Sequence, residues 1–190
     1  MIIEHIEDTI ISEIIILTPQ IHRDSRGYFF ESFNSEEFKN IGLPINFLQD
    51  NQVFSKKNTL RGFHYQLKYP QGKLVRVIQG EVFDVAVDIR LGSATFGQYQ
   101  GFNLSAENNK IVYIPEGFAH GYIVISETAI FQYKCTENYH PEDEYGIIWN
   151  DKELNVKWSV RDPILSQKDQ KLPALRSIDE KYLPKFRNNE

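Results

Sequence analysis

Phe83-Asp84-Val85-Ala86-Val87-Asp88-Ile89 alternates with a period of two. Phe83, Val85, Val87 and Ile89 fall on one face of a strand, and Asp84 and Asp88 fall on the other. Shorter runs of the same kind occupy Ile10–Thr18, Gly27–Phe33, Leu74–Gln79, Gln98–Leu104, Lys110–Ile114, Gly121–Ser126 and Ala129–Thr136. Turn-forming stretches separate them: Gln79-Gly80, Leu91-Gly92-Ser93, Ala106-Glu107-Asn108-Asn109 and Pro115-Glu116-Gly117. Short strands at this spacing predict an all-β sandwich or barrel. One helix is expected near the front. Asn34 or Ser35 can cap it, Glu37 stands three residues after Asn34, Gly42 ends it and Pro44 blocks continuation.

The 190 residues suit a single domain, with an N-terminal extension over about 1–47, a barrel core over about 48–150 and a C-terminal extension over about 151–190. The tail from Asn155 to Glu190 is polar and carries Pro163, Pro173 and Pro184, which predicts loops and short helices packed on the barrel. Its last ten residues are expected to fray. A net charge of −5 argues against general nucleic-acid binding. No signal-peptide pattern and no long apolar span is present, so a cytoplasmic protein with no membrane partner is expected. Cys135 is the single cysteine, which excludes an internal disulfide. Its apolar neighbours suggest a buried small hydrophobe.

Against this framework, Leu60-Arg61-Gly62-Phe63-His64-Tyr65-Gln66 stands out. A guanidinium and an imidazole share one strand. Either they line a cleft, where an imidazole can move protons at neutral pH, or the strand is partly exposed. Arg61 and His64 are three residues apart, so strict alternation sends them to opposite faces. A bulge or kink at Gly62 would bring both inward. Gln49 and Asn51 share a face and suit hydrogen bonding to a sugar or base, or belong to a polar edge strand. Lys73 follows Gly72 and either turns inward or sits exposed on a hairpin. Tyr133 shares a face with Phe131 and Cys135 and is either packing or an acid. Asp169 and Asp84 are rival carboxylates for orienting an imidazole. His5, His22 and His140 lie in polar contexts and read as solvated.

His64-Tyr65-Gln66, followed by Ile114-Pro115-Glu116-Gly117-Phe118-Ala119-His120-Gly121, resembles a cupin barrel. In metal-binding cupins a second His stands where Gln66 stands here. His64 and His120 alone are too few to ligate a transition metal.

An ordered set of motifs extends the likeness. It comprises Asp24-Ser25-Arg26-Gly27-Tyr28-Phe29-Phe30-Glu31, Gln49-Asp50-Asn51, Leu60–Gln66, Gly72-Lys73-Leu74-Val75-Arg76, Asp84–Arg90, Ile114–Gly121, Tyr133-Lys134, Tyr139, Glu144 and Lys168-Asp169. From about Ile16 to Pro173 the chain closely resembles the dTDP-4-dehydrorhamnose 3,5-epimerase family. The resemblance implies a cupin jelly roll that uses no metal and no cofactor. Its implied activity is inversion of C3 and C5 in nucleotide-diphosphate 4-keto-6-deoxy sugars, within dTDP-rhamnose biosynthesis for lipopolysaccharide or capsule. By the same resemblance His64 is the base, Asp169 its partner and Tyr133 the acid. Lys73 is a cation near the keto oxygen, with Arg61 a second positive group beside the substrate. Arg26, Phe29, Glu31, Gln49, Asn51, His120, Tyr139, Glu144 and Lys168 match substrate-binding positions. A homodimer exchanging N-terminal segments is implied, so Arg26 would serve the neighbouring site. Relatives differ in nucleotide, in sugar and in whether C3, C5 or both are inverted. A 3,4-ketoisomerase and a non-catalytic binding cupin are the other readings.

Overall fold

The period-two runs pair into two facing sheets. The computed structural model describes residues 3–7 and 9–186. The chain runs β1 (Ile3–Glu7), β2 (Ile15–Pro19), β3 (His22–Asp24), β4 (Gly27–Phe29), α1 (Ser35–Asn40), β5 (Gln49–Lys56), β6 (Leu60–Gln66) and β7 (Lys73–Gln79). It continues through β8 (Glu81–Asp88), β9 (Tyr99–Ser105), β10 (Ile111–Ile114), β11 (Phe118–Val124), β12 (Thr128–Cys135) and β13 (Glu144–Gly146). One sheet has six strands in the order β1-β2-β10-β7-β12-β5, and the other has five in the order β13-β6-β11-β8-β9. β3 and β4 form a separate hairpin. The predicted jelly-roll barrel is therefore present, with one short α-helix among the described residues. No helix among the described residues is long and apolar enough to cross a membrane.

The two faces of β8 that the alternation separates are both buried. Val82 and Ala86 point between the sheets, against Val75, Leu104 and Phe131. Val85 and Val87 point the other way, where Leu154, Leu175 and Leu183 of the C-terminal extension cover them. Each such side chain, fully buried, stabilises by roughly 1.5–3 kcal/mol. Asp84 and Asp88 are both 0% exposed, so their face is barrel interior and not solvent.

Other boundaries shift for local reasons. The expected strand at Ile10–Thr18 begins only at Ile15. The Thr9 hydroxyl donates to the Ile11 carbonyl at 2.6 Å and also contacts that of Ile14 at 2.9 Å, folding the run so that Ile11 and Ile14 plug the core. The run Gly27–Phe33 is a strand only to Phe29. Phe33 leaves it to pack against Phe38 and Phe47, with ring centres 5.0 and 5.6 Å apart. β11 begins at Phe118, three residues before the expected start, so His120 lies inside a strand. β1, β3 and β13 were not expected; β13 is only three residues, too short for alternation to show. Helix α1 follows its sequence signals. The Asn34 side chain accepts from the Glu36 and Glu37 amides, and Phe38 is buried. In the predicted fraying tail, Lys181–Phe186 is held in place. The Phe186 amide donates to the Leu91 carbonyl at 2.9 Å, and Leu183 is buried. Residues 187–190, the rest of that prediction, lie outside the described residues.

Candidate active site

Between the two sheets lies a cavity of about 420 Å³. One wall comes from β6 and β11, where His64 and His120 are direct cross-strand neighbours. The facing wall comes from β5, β7 and β12 and carries Asn51, Lys73, Tyr133 and Cys135.

The expected kink at Gly62 is present. On β11, His120 pairs with His64 and Tyr122 pairs with Arg61, so two steps on one strand match three on the other. The extra residue lets both Arg61 and His64 line the cavity. Gly62 has φ +108°, and a Cβ there would lie 2.5 Å from the His120 carbonyl oxygen. Only glycine fits that conformation and that approach.

His64 Nε2 lies 2.7 Å from Asp169 Oδ1, and Nδ1 lies 3.6 Å from Glu144 Oε1. Asp169 arrives from the C-terminal extension on a short 3-10 turn, Asp169–Lys171, and its amide donates to Ser166 Oγ. Burial pulls its carboxyl pKa upward. The bonds from His64, Ser166 and the Gly62 amide outweigh that and hold it below the ordinary value. The rival, Asp84, is paired elsewhere: its Oδ2 lies 2.8 Å from His120 Nε2. It is adjacent to His120's strand and cannot be the partner of His64.

Lys73 is 9% exposed and sits opposite Cys135 in register, which rules out the exposed-hairpin reading. Burial pulls its ammonium below the usual lysine value, against the pull of Cys135, Glu144 and Asp84. Burial, with Cys135 and Tyr122 nearby, pushes the Tyr133 phenol up to about 12, so it is protonated at neutral pH. Cys135 is buried as expected, yet it also forms cavity wall.

The amides on β5 are oriented in a chain. The Tyr139 amide donates to Gln49 Oε1 at 2.7 Å, Gln49 Nε2 donates to Asn51 Oδ1 at 2.8 Å, and Asn51 Nδ2 approaches Cys135 Sγ at 3.8 Å. β5 is an edge strand, as one reading of this pair had it, and Gln49 and Asn51 line the cavity. At the mouth, Tyr139 is 49% exposed and its hydroxyl donates to Glu144 Oε2 at 2.6 Å, where Lys168 also pairs. The Glu144 bond pushes the Tyr139 phenol up to about 12. Glu144 itself is pulled upward by burial, but Lys168, Tyr139 and His64 hold it below its ordinary value.

Three expected site residues lie outside this chain's cavity. Arg26 and Phe29 belong to the β3–β4 hairpin and its turn, where Arg26 pairs with Asp24 at 2.6 Å and Phe29 is 65% exposed. Glu31 is exposed just beyond and accepts from Asn34. Val53, Gln71, Tyr122 and Ser166 line the cavity without having been expected there. Ser166 had one readable signal, a hydroxyl three residues before Asp169. Gln66 lines the wall, but its amide is held by backbone. It donates to the carbonyls of Tyr69 and Asn138 and accepts from the His140 amide. His140 is not simply solvated, because its ring stacks on Tyr69 with centres 3.9 Å apart.

A carboxylate-backed imidazole facing a protonated phenol across a barrel interior defines a cupin barrel equipped for proton transfer. The chain belongs to the dTDP-4-dehydrorhamnose 3,5-epimerase family, whose profile matches residues 8–177. It is 50% identical over 165 residues to the dTDP-4-dehydrorhamnose 3,5-epimerase of Methanothermobacter thermautotrophicus, covering 85% of this chain and 89% of that one. It is 50% identical over 173 residues to the enzyme of the same name from Escherichia coli K12, covering 90% and 94%. Its fold matches a dTDP-6-deoxy-D-glucose-3,5-epimerase from Legionella pneumophila, crystallised with dTDP-4-keto-L-rhamnose. There the TM-score is 0.94 and the identity 48%, over 96% of this chain and 98% of that one.

Proposed function

We propose that the protein is a nucleotide-diphosphate 4-keto-6-deoxy-sugar 3,5-epimerase that converts dTDP-4-dehydro-6-deoxyglucose to dTDP-4-dehydrorhamnose. The observation that carries this reading is the placement of His64, backed by Asp169, on one sheet and Tyr133 on the facing sheet. His64 removes the proton from a carbon beside the ketone, and the electron pair moves onto the keto oxygen. Lys73 and Arg61 stabilise the resulting enolate. Tyr133 returns a proton to the opposite face of the same carbon and the ketone re-forms inverted. The cycle then repeats at the second carbon. A positioned acid or base contributes roughly 10²–10⁴ in rate, and a pre-placed group at the developing oxyanion about 10²–10³.

Gln49, Asn51, His120, Glu144 and Lys168 hold the sugar nucleotide in this reading, and Tyr139 offers a ring face to the base. The working unit is a homodimer in which Arg26, Phe29 and Glu31 complete the partner's cavity, with the Arg26 fork suited to a diphosphate. Support comes from the hairpin's position outside its own cavity, and from Tyr28, Phe29, Leu48 and Phe54, which are more than half exposed along the hairpin and the β5 edge. The chain would act as one catalytic domain in the cytoplasm.

Incubation in D₂O with a panel of dTDP- and GDP-linked 4-keto sugars, read by NMR, tests the proposal. Deuterium at both C3 and C5 with inverted configuration, on the dTDP sugar, is expected. A 3-keto product, binding without exchange, or exchange at one carbon only would contradict it.

A further inference from the structure

Asp84 is 0% exposed, and the proton-transfer scheme above does not use it. It sits on β8 directly opposite Tyr122 of β11, facing the barrel interior. Its Oδ2 bonds His120 Nε2 at 2.8 Å, while Oδ1 is buried with no partner among the described residues. A buried carboxylate costs free energy unless a positive group compensates it. Among the described residues, the side chain bonded to it is His120.

That bond has a chemical consequence. The carboxylate accepts, so the proton of the bonded nitrogen sits on Nε2, and Nδ1 is the nitrogen left for a bound molecule. His120 lines the cavity beside His64, its cross-strand neighbour. Lys73, on the facing wall, lies within electrostatic reach of Asp84.

We propose that Asp84 is a positioning residue for the reaction: by accepting from Nε2–H it holds the His120 ring in one orientation and one tautomer, so that Nδ1 is presented to the bound sugar. This role rests on the epimerase reading.

Three measurements test it. In protein labelled with ¹⁵N-histidine, the wild-type His120 ring is held with its proton on Nε2, and Asp84→Asn populates the other tautomer. In turnover, Asp84→Asn lowers kcat by about 10²-fold with KM within about threefold of wild type, and Asp84→Glu restores part of the loss. In a His120→Gln background the Asp84→Asn effect disappears, because the two residues act through one bond. An unchanged His120 spectrum in Asp84→Asn would overturn the proposal. So would an equal loss with and without His120, which would mean that Asp84 serves only the fold. If Asp84→Asn does not fold, Asp84→Ser, which also removes the carboxylate, carries the same comparisons. A wild-type enzyme that exchanges no substrate proton overturns the epimerase reading and this role together. An active wild type with an undiminished Asp84→Asn overturns this role alone.

Discussion

Lys73 shows what a residue's surroundings add to its identity. Its sequence neighbours allowed an inward or an exposed side chain, the exposed one being commoner for a lone lysine, and the structure buries it opposite Cys135. A buried ammonium whose pKa is depressed destabilises the fold, because the folded state binds its proton less readily than the unfolded chain does. Lys73→Met is therefore expected to raise stability by about 1 kcal/mol in urea denaturation while lowering kcat by about 10²–10³-fold. A less stable, fully active variant would contradict this. His64 was readable as a candidate base, but the carboxylate beside it was not. Asp169 is 105 positions away, and the sequence offered Asp84 as a rival. The Asp169 carboxyl is held below its ordinary value, so its contribution to stability is fully present above the unfolded-state pKa of about 4. That contribution is lost as pH falls through the lower folded-state value. The stability gap between wild type and Asp169→Asn should accordingly narrow as pH drops from about 5 toward 3, measured by denaturation at each pH. A gap that stays constant would count against the ion pair.

Strand β6 was readable in an unusual way. The three-residue spacing of Arg61 and His64 conflicts with alternation, and that conflict pointed to the bulge at Gly62. Gly62→Ala would force a Cβ into the His120 backbone at a positive φ. The expected cost is about 2 kcal/mol or more in denaturation experiments, with loss of turnover as Arg61 and His64 diverge. A variant with wild-type stability and rate would show that the bulge is dispensable. The alternation of β8 identified a strand but not its surroundings. Period two marks two distinct faces, and which of them meets solvent depends on what the rest of the chain lays over the sheet. Here Leu154, Leu175 and Leu183 cover the outer face. That arrangement comes from long-range packing that no local window contains.

At the scale of the molecule, the C-terminal extension both covers the five-stranded sheet and delivers Asp169 to the cavity. Its polar, proline-bearing sequence foretold loops and short helices, and the described residues have them. The proposed dimer accounts for the other end of the chain, where Arg26, Phe29 and Glu31 stand clear of their own cavity. Two inactive variants test it together. Arg26→Ala and His64→Asn should each abolish activity. Mixed by unfolding and refolding, they should recover about a quarter of wild-type activity, because half the dimers are mixed and each mixed dimer holds one intact site. No recovery would place Arg26 in its own chain's reaction.

The claim that imidazole and phenol act from opposite sides has a direct measurement in Tyr133→Phe, incubated with the dTDP-4-keto sugar in D₂O and read by NMR. His64 can still remove a proton and return deuterium from its own side, so the account predicts deuterium at C3 or C5 with configuration retained. Inversion at a wild-type rate in Tyr133→Phe would contradict it.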